Sequence, residues 1–204
     1  MLRISFTGIS ILAVALLGVS PQPPEKKTMD ELHPQGGGHP LIPGQVENWP
    51  KAKAEDVASL DAIIAAYYSS TAGEPKQPRD WDRFRSLFLP DGRLIAARAR
   101  SDGTAGALVL PPDDFVNMNR KYLEAGGLVE REIGRRVASF GTVAQVWSTF
   151  ESRRSKDSPA PYARGINSFQ LLNGGDRWWI VTVFWDHERE NNPIPEKYTI
   201  TPKE

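Results

Sequence analysis

The sequence contains no cysteine among its 204 residues. This excludes disulfides, thiol catalysis, cysteine-ligated zinc sites and a thioether-linked lipid anchor. The sequence also has no excess of positive or negative charge, because 25 Lys and Arg side chains balance 25 Asp and Glu side chains. A balanced chain has no electrostatic footprint for nucleic acid or an anionic membrane surface. We therefore predict no nucleic-acid partner, and no membrane contact beyond the N-terminal segment described next.

Long apolar runs are also lacking, apart from residues 9–19. A run of this length is too short to cross a bilayer, which requires roughly 20 residues, but it matches the apolar region of a secretory signal peptide. Arg3 precedes it, and the small residues Gly18 and Ser20 suit a cleavage site. Residues 1–20 are therefore predicted to be a signal peptide that exports the protein to the periplasm or the extracellular space. Pro21 would hinder cleavage, so an uncleaved anchor is the alternative.

Residues 21–52 have little periodic apolar character. Seven prolines and four glycines lie between Pro21 and Pro50. Such a segment buries too little surface to offset its ordering entropy, so it is interpreted as a flexible tether. His33 and His39 lie in it without acidic or sulfur partners at a fixed spacing. We therefore predict no metal site and no cofactor.

Periodic apolar residues begin near Lys53 and predict one domain over residues 53–188, followed by a C-terminal extension over 189–204. Three helices are expected: one that ends at Gly73, a short one from the N-cap Asp80 to Pro90, and one from Asp113 to Gly126. Asp102-Gly103 joins a short hairpin of residues 94–98 and 105–110. Four long strands follow. They are predicted over residues 128–138, 142–153, 162–172 and 177–186, as antiparallel neighbours.

The last strand is apolar on both faces. Strict alternation would place Trp178, Ile180, Thr182 and Phe184 on one face and Trp179, Val181, Val183 and Trp185 on the other. A second apolar face needs a cover. We predict either a homodimer through the face that bears Trp179 and Trp185, or the C-terminal extension folded back along that face.

This pattern resembles the nuclear transport factor 2-like superfamily, which includes steroid isomerases, polyketide cyclases, scytalone dehydratase and many non-enzymes. The motifs that carry the resemblance are Asp80-Trp81-Asp82 through Phe88, Asp91-Gly92 and Arg177-Trp178-Trp179-Ile180, within roughly Ala54 to Glu188. Residues 164–168 are closer to an exported, poorly characterised branch than to the named enzymes. The resemblance implies an α+β, cone-shaped fold, with three N-terminal helices packed in a curved, mostly antiparallel sheet. It also implies an apolar pocket.

The resemblance places Ala66 where steroid isomerases have an oxyanion-stabilising tyrosine, and Ala96 where they have a base aspartate. Alanine can perform neither role, because acid–base catalysis needs an ionisable group and a hydrogen-bond donor. Tyr67 or Tyr68 would replace the donor if the alignment shifts by one or two residues. The missing base favours a non-catalytic protein.

A pocket for a small apolar ligand is expected inside the cone. Its predicted lining consists of Tyr67, Tyr68, Trp81, Phe84, Tyr122, Ser148, Asn167, Trp178 and Ile180. If the protein is an enzyme, Asp82 and His187 are the candidate acid and base. Asp186 cannot join His187 in the pocket while the strand continues, because adjacent strand residues face opposite sides.

Charged side chains are frequent on two successive strands. We expect them to form a solvated sheet margin with cross-strand ion pairs. The alternative is that Arg135 enters the pocket and binds a carboxylate ligand. The members of this set are Glu130, Arg131, Glu132, Arg135, Arg136, Glu151, Arg153 and Arg154.

The preferred function is therefore an exported, non-catalytic ligand-binding or interaction domain. The alternative is a lyase or isomerase that acts on a small apolar substrate in the pocket. A purely structural dimer without a ligand is the third reading, and it is favoured if side chains fill the pocket.

Overall fold

The computed structural model describes residues 48–199. The predicted signal peptide and nearly all of the predicted tether, including His33 and His39, lie outside these residues. Within them, the chain forms an α+β fold with one six-stranded sheet, which confirms the α+β part of the predicted fold class.

The helices of the described region are four α-helices and one short 3₁₀ helix, instead of three helices. They are α1 (Ala54–Val57), α2 (Leu60–Thr71), α3 (Trp81–Ser86), α4 (Pro112–Gly126) and the 3₁₀ helix Glu196–Tyr198. The first predicted helix is divided because Ser59 adopts an extended backbone and caps α2. Its hydroxyl accepts a hydrogen bond from the Ala62 N–H at 3.0 Å.

The strands lie close to their predicted bounds, with one exception. They are β1 (Phe88–Ala99), β2 (Ala105–Leu110), β3 (Val129–Phe140), β4 (Val143–Arg153), β5 (Ala163–Asn173) and β6 (Trp178–His187). β1 begins six residues earlier than predicted, since the Asp91-Gly92 turn lies inside it. An irregularity in the pairing between Phe88 and Arg93 accommodates these residues.

The sheet order is β2-β1-β6-β5-β4-β3. Consecutive strands from β3 to β6 are antiparallel neighbours, as predicted from their short connections. β1 pairs with β6 in parallel, and this pairing joins the first hairpin to the four-stranded meander.

Helices α2, α3 and α4 pack on one face of the sheet, here called the inner face. Aromatic rings form the centre of this core. Tyr67 of α2 lies edge-on to Phe169 of β5 at 5.0 Å, and Phe84 of α3 lies 5.0 Å from Phe88 of β1. Phe84, Phe88 and Phe169 are fully buried. Such T-shaped and tilted pairs stabilise a core by about 0.5–1.5 kcal/mol each beyond the area that they bury.

A β-bulge at Val181 breaks the alternation predicted for β6. Ile180 pairs with Leu171 and Thr182 with Gln170, so one residue of β6 has no opposite partner. The faces are therefore exchanged after Val181. Trp185, predicted on the outer face, lies opposite Asn167 on the inner face, whereas Phe184 is 45% exposed on the outer face.

The C-terminal extension lies on the outer face of the sheet. The Tyr198 ring packs against Trp147 at 5.5 Å, and the Thr149 hydroxyl donates to the Tyr198 carbonyl at 2.5 Å. Gly134 permits this approach, because a Cβ there would lie 2.4 Å from the Tyr198 carbonyl oxygen. The predicted cover by the C-terminal extension is therefore observed over part of this face.

The outer face keeps an apolar strip beside the extension. We call this set, Val143, Trp147 and Phe184, the outer strip. Its members are 52%, 37% and 45% exposed. Trp179 also lies on this face, through its pairing with Leu172, but the Arg177 guanidinium covers its ring at 3.5 Å from the centroid.

Candidate ligand cavity

A cavity of about 390 Å³ lies between the inner face of the sheet and helices α2 and α4. Its volume is within the range of small-molecule sites. Aromatic and aliphatic side chains share its wall with several polar ones, so polar and apolar atoms contribute about equally. The side chains used below are Tyr67, Ala96, Arg98, Phe115, Asn119, Tyr122, Glu130, Phe150, Ser152, Tyr162, Asn167, Trp185 and His187.

Glu130 is the acidic side chain of this wall. It projects from β3 opposite Ser152 of β4, and the Ser152 hydroxyl donates to its Oε1 at 2.7 Å. Burial raises the pKa of Glu130 to about 7, because the enclosed site disfavours the charged carboxylate, and the hydrogen bond from Ser152 opposes this only in part. Glu130 can therefore hold or release a proton near neutral pH.

Two phenols lie close enough to Glu130 to be affected by its charge. Burial raises the pKa of Tyr67 and, to a smaller extent, that of Tyr162, and the Glu130 carboxylate raises both further. Both phenols are therefore neutral at pH 7. In the described region no protein group hydrogen-bonds the Tyr67 hydroxyl, so this hydroxyl is available to a ligand.

Asn167 is held in the wall by a chain of buried hydrogen bonds. Its amide donates to the Tyr68 hydroxyl at 3.0 Å, which lies 2.7 Å from the Ser148 hydroxyl. Ser148 in turn donates to Glu132 at 2.5 Å, and Glu132 pairs with Arg135 at 2.6 Å. The network fixes the orientation of Asn167. It also explains why Arg135, the predicted alternative carboxylate-binding group, is not part of the cavity wall.

Cationic groups surround the mouth of the cavity. The Arg154 guanidinium lies 4.2 Å from the centroid of the Tyr162 ring and donates to the Tyr122 hydroxyl at 2.9 Å. Arg98 is exposed at the rim. His187 lies edge-on to Phe150 at 5.8 Å, and its pKa is lowered, first by burial of the ring and then by Arg98 and Arg189. His187 is therefore mostly neutral at pH 7.

The structure brings together only some of the residues predicted for the pocket. Tyr67, Tyr122, Asn167 and His187 line the cavity. Other predicted lining residues belong to the core around it. These are Tyr68, Trp81, Phe84, Ser148 and Ile180, which are all buried, and Trp178, which is partly buried.

Trp81 and Phe84 miss the cavity because α3 packs between the other helices and β1. Phe84 stacks on Phe115 at 5.4 Å, and the Trp81 indole donates to Glu124 at 2.8 Å. Asp82, the predicted acid–base candidate of α3, is exposed and paired with Arg85 at 2.9 Å. It lies outside the cavity wall and cannot act there.

Glu130 was not predicted as a site residue. It was assigned to a solvated sheet margin with Glu132, and for these two residues that assignment is wrong. Alternate residues of a strand face the same side of the sheet, so Glu130 and Glu132 share a side with Leu128, which is buried just before β3. This alternation was the available signal. It was ambiguous, because charged residues occur on both faces of β3 and the sequence does not reveal which face is turned inward.

Ala96 and Ala66, which the resemblance places at the base and oxyanion positions of steroid isomerases, lie in different surroundings. Ala96 lines the cavity, so the wall offers no ionisable group where steroid isomerases are expected to place their base. Ala66 is buried in the core, and its neighbour Tyr67 reaches the cavity instead.

Two further observations concern residues 48–199 only. No group of three or more His, Asp or Glu side chains is placed there to hold a metal ion. No helix in this part of the chain has the length and apolar character needed to cross a membrane.

Comparison with known proteins gives similarities in structure and none in sequence families. No family model matches the chain, and no curated protein does. Among solved structures, a Nostoc punctiforme protein of unknown function with a cystatin-like fold has 11% identity and a TM-score of 0.49, over 65% of this chain and 91% of the other. A nuclear transport factor 2-like protein of unknown function from Silicibacter pomeroyi has 16% identity and a TM-score of 0.43, over 64% and 94%. An uncharacterized cystatin-like protein from Caulobacter vibrioides has 14% identity and a TM-score of 0.47, over 66% and 90%.

The element order and the helix-covered sheet are those expected from the sequence resemblance. The chain has an α+β fold in which helices cover one face of a six-stranded sheet. A fold of this kind does not specify an activity, so function has to be argued from the cavity.

Proposed function

We propose that the protein is an exported, non-catalytic binding protein that holds a small, mostly apolar molecule in the cavity. The observation that supports this is a partly open cavity of about 390 Å³ whose wall combines aromatic rings with several polar groups. Ala96 in the wall supports a binding role over isomerase chemistry. Export rests on residues 1–20 of the sequence, and N-terminal sequencing of secreted protein that recovers Met1 would contradict cleavage.

Filling part of the cavity is expected to weaken binding. Asn119 of α4 lines the cavity, and a phenylalanine there would occupy part of the ligand's space. We expect apolar aromatic probes to bind the wild-type protein in the micromolar range, about −8 kcal/mol. Asn119→Phe should raise the Kd at least about tenfold, as measured by calorimetry.

Asn117→Phe is the matched control, because Asn117 lies two residues away on the same helix and is exposed. It should leave the Kd unchanged. Equal affinities for both variants, with both folded, would show that the probe binds elsewhere.

A lyase or isomerase is the second candidate, and Glu130 favours it. A carboxyl group with a pKa near 7 can act as a general base or acid at neutral pH. The measurement that separates the two candidates is deuterium incorporation from solvent into bound small ketones. Exchange in the wild-type protein that is absent in Glu130→Gln would establish proton transfer, and absence in both favours simple binding.

We also propose that a second copy of the chain covers the outer strip. The extension leaves these three apolar side chains 37–52% exposed on β4 and β6, which flank β5. Phe184→Glu would place like charges near a two-fold interface and should convert a dimer to a monomer at tens of micromolar protein. Sedimentation velocity measures this. A wild-type protein that is already monomeric would contradict the proposal.

A further inference from the structure

Glu130 lacks a cationic partner, unlike the other glutamates of the same sheet. Glu132 pairs with Arg135 at 2.6 Å, and Glu151 pairs with Arg131 at 2.7 Å and with Arg153 at 3.1 Å. Within residues 48–199 no Lys, Arg or His side chain forms an ion pair with Glu130. The nearby arginines on the sheet are thus already engaged by other acids.

The second oxygen of the Glu130 carboxylate has no hydrogen-bond partner in the described part of the chain. Ser152 donates to Oε1 only. A carboxylate in an enclosed site is destabilised unless it is paired, so a cation delivered by a ligand would restore the interaction that the protein does not supply.

The rest of the wall suits the same ligand. Tyr67, Phe115, Phe150, Tyr162 and Trp185 present aromatic rings to the cavity. The π faces of such rings attract organic cations, and the contact is stronger where water is excluded. A ring of this wall already interacts with a cation, since Arg154 lies over Tyr162 at 4.2 Å.

Positive groups near the cavity oppose a cation only weakly. His187 of β6 is mostly neutral at pH 7, because burial lowers its pKa. Arg98 of β1 is exposed to solvent at the rim, where salt screens its charge. Arg154, after β4, is held on the outside of the aromatic wall by the Tyr122 hydroxyl. The phenols of Tyr67 and Tyr162 carry no charge at neutral pH, because burial raises the pKa of each.

We propose that the cavity binds an organic cation of the amine class, with its ammonium group against the Glu130 carboxylate and its apolar part against the aromatic rings. This inference rests on the proposed ligand-binding function. It goes further by specifying the charge of the ligand and the residue that binds the charged group.

The test compares benzylamine with benzyl alcohol, which has nearly the same size and no charge. Wild-type protein should bind benzylamine about tenfold more tightly at pH 8, and Glu130→Gln should abolish this preference while it still binds the alcohol. Glu190→Gln, which removes one exposed charge elsewhere, should keep the preference.

The pH dependence gives a second readout that does not depend on a variant. Benzylamine stays cationic from pH 5.5 to 8, whereas Glu130 titrates near pH 7. Its affinity for the wild-type protein should therefore fall about tenfold or more as the pH is lowered to 5.5, with proton release on binding at pH 7. Calorimetry in two buffers measures the released protons.

The outcomes separate the two proposals. If the alcohol binds but the amine binds no more tightly, the amine inference is wrong and the ligand-binding function stands. If the affinity for benzylamine stays constant or rises as the pH is lowered to 5.5, the ionised Glu130 carboxylate does not bind the ammonium group and the inference is also wrong. If neither probe binds at millimolar concentration, both proposals fail for ligands of this kind.

Discussion

Arg79→Met is expected to lower the free energy of unfolding by about 3 kcal/mol. Arg79 is 8% exposed and lies in the loop between α2 and α3. Its guanidinium donates to the carbonyls of Thr71 at 2.9 Å, Gly73 at 2.7 Å and Leu123 at 3.1 Å. Thr71 lies in the last turn of α2, where carbonyls have no partner within the helix. The Leu123 carbonyl also accepts from the Gly127 N–H at 3.0 Å, and the Gly73 carbonyl from the Leu128 N–H at 3.0 Å.

The magnitude follows from losing three hydrogen bonds from one charged donor at once, although the Gly73 and Leu123 carbonyls each keep a backbone N–H partner. Hydrogen bonds from a charged donor stabilise by about 1.5–3 kcal/mol each, and a cation also interacts favourably with two helix C-termini. Methionine keeps much of the apolar stem and removes all of these donors. Urea unfolding followed by circular dichroism measures the change.

Arg120→Met is the matched control for this prediction. Arg120 is an exposed residue of α4, and its replacement should change stability by less than about 0.5 kcal/mol. A loss below about 1 kcal/mol for Arg79→Met would mean that water replaces the guanidinium at these carbonyls.

Glu130→Gln is expected to stabilise the protein at pH 8 by about 2 kcal/mol and to have little effect at pH 4.5. The pKa of Glu130 is raised by burial from 4.5 to about 7 in the folded protein. Below pH 4.5 the carboxyl is protonated in both the folded and the unfolded chain. As the pH rises to 7, the unfolded chain ionises first, so stability falls, and above pH 7 the full penalty remains. Glutamine is neutral throughout and can still accept the hydrogen bond from Ser152.

The difference between variant and wild type isolates Glu130 from other acids. Hydrogen bonds from Arg83 lower the pKa of Asp56. Burial would raise the pKa of Glu151, but hydrogen bonds from Arg131 and Arg153 outweigh it and lower that pKa. Both carboxylates therefore contribute stability that is lost at low pH, in the variant and in the wild type alike. Unfolding free energies at pH 4.5, 6, 7 and 8 give the profile. A stability difference that does not change with pH would show that Glu130 is solvated. Glu190→Gln should show no profile of this kind.

Local signals in the sequence located most elements. Asp80 was correctly predicted as the N-cap of α3, since its carboxylate accepts from the Arg83 N–H at 3.0 Å. Gly127, with φ of 72°, follows α4 as expected for a helix end. The turn residues between β3 and β6 gave strand bounds within about two residues, because a turn depends on neighbours in sequence.

Four of the predicted pocket residues, Tyr67, Tyr122, Asn167 and His187, line the cavity. Tyr122 was indicated by the amphipathic pattern of α4. Glu130 was missed because β3 carries charged residues on both of its faces. Only its pairing with β4 decides which face is turned toward the cavity.

The sequence by itself determined the α+β class, the four-stranded meander and the apolar character of both faces of β6, since these follow from composition, periodicity and turn residues. Only the tertiary structure decided that β1 lies parallel to β6 and that the C-terminal extension covers part of the outer face. It also decided that Trp185 faces the cavity, because one additional residue at Val181 exchanges the two faces of the strand. The physical reason is that pairing between distant strands and the placement of a bulge depend on contacts far apart in sequence, which no local pattern records.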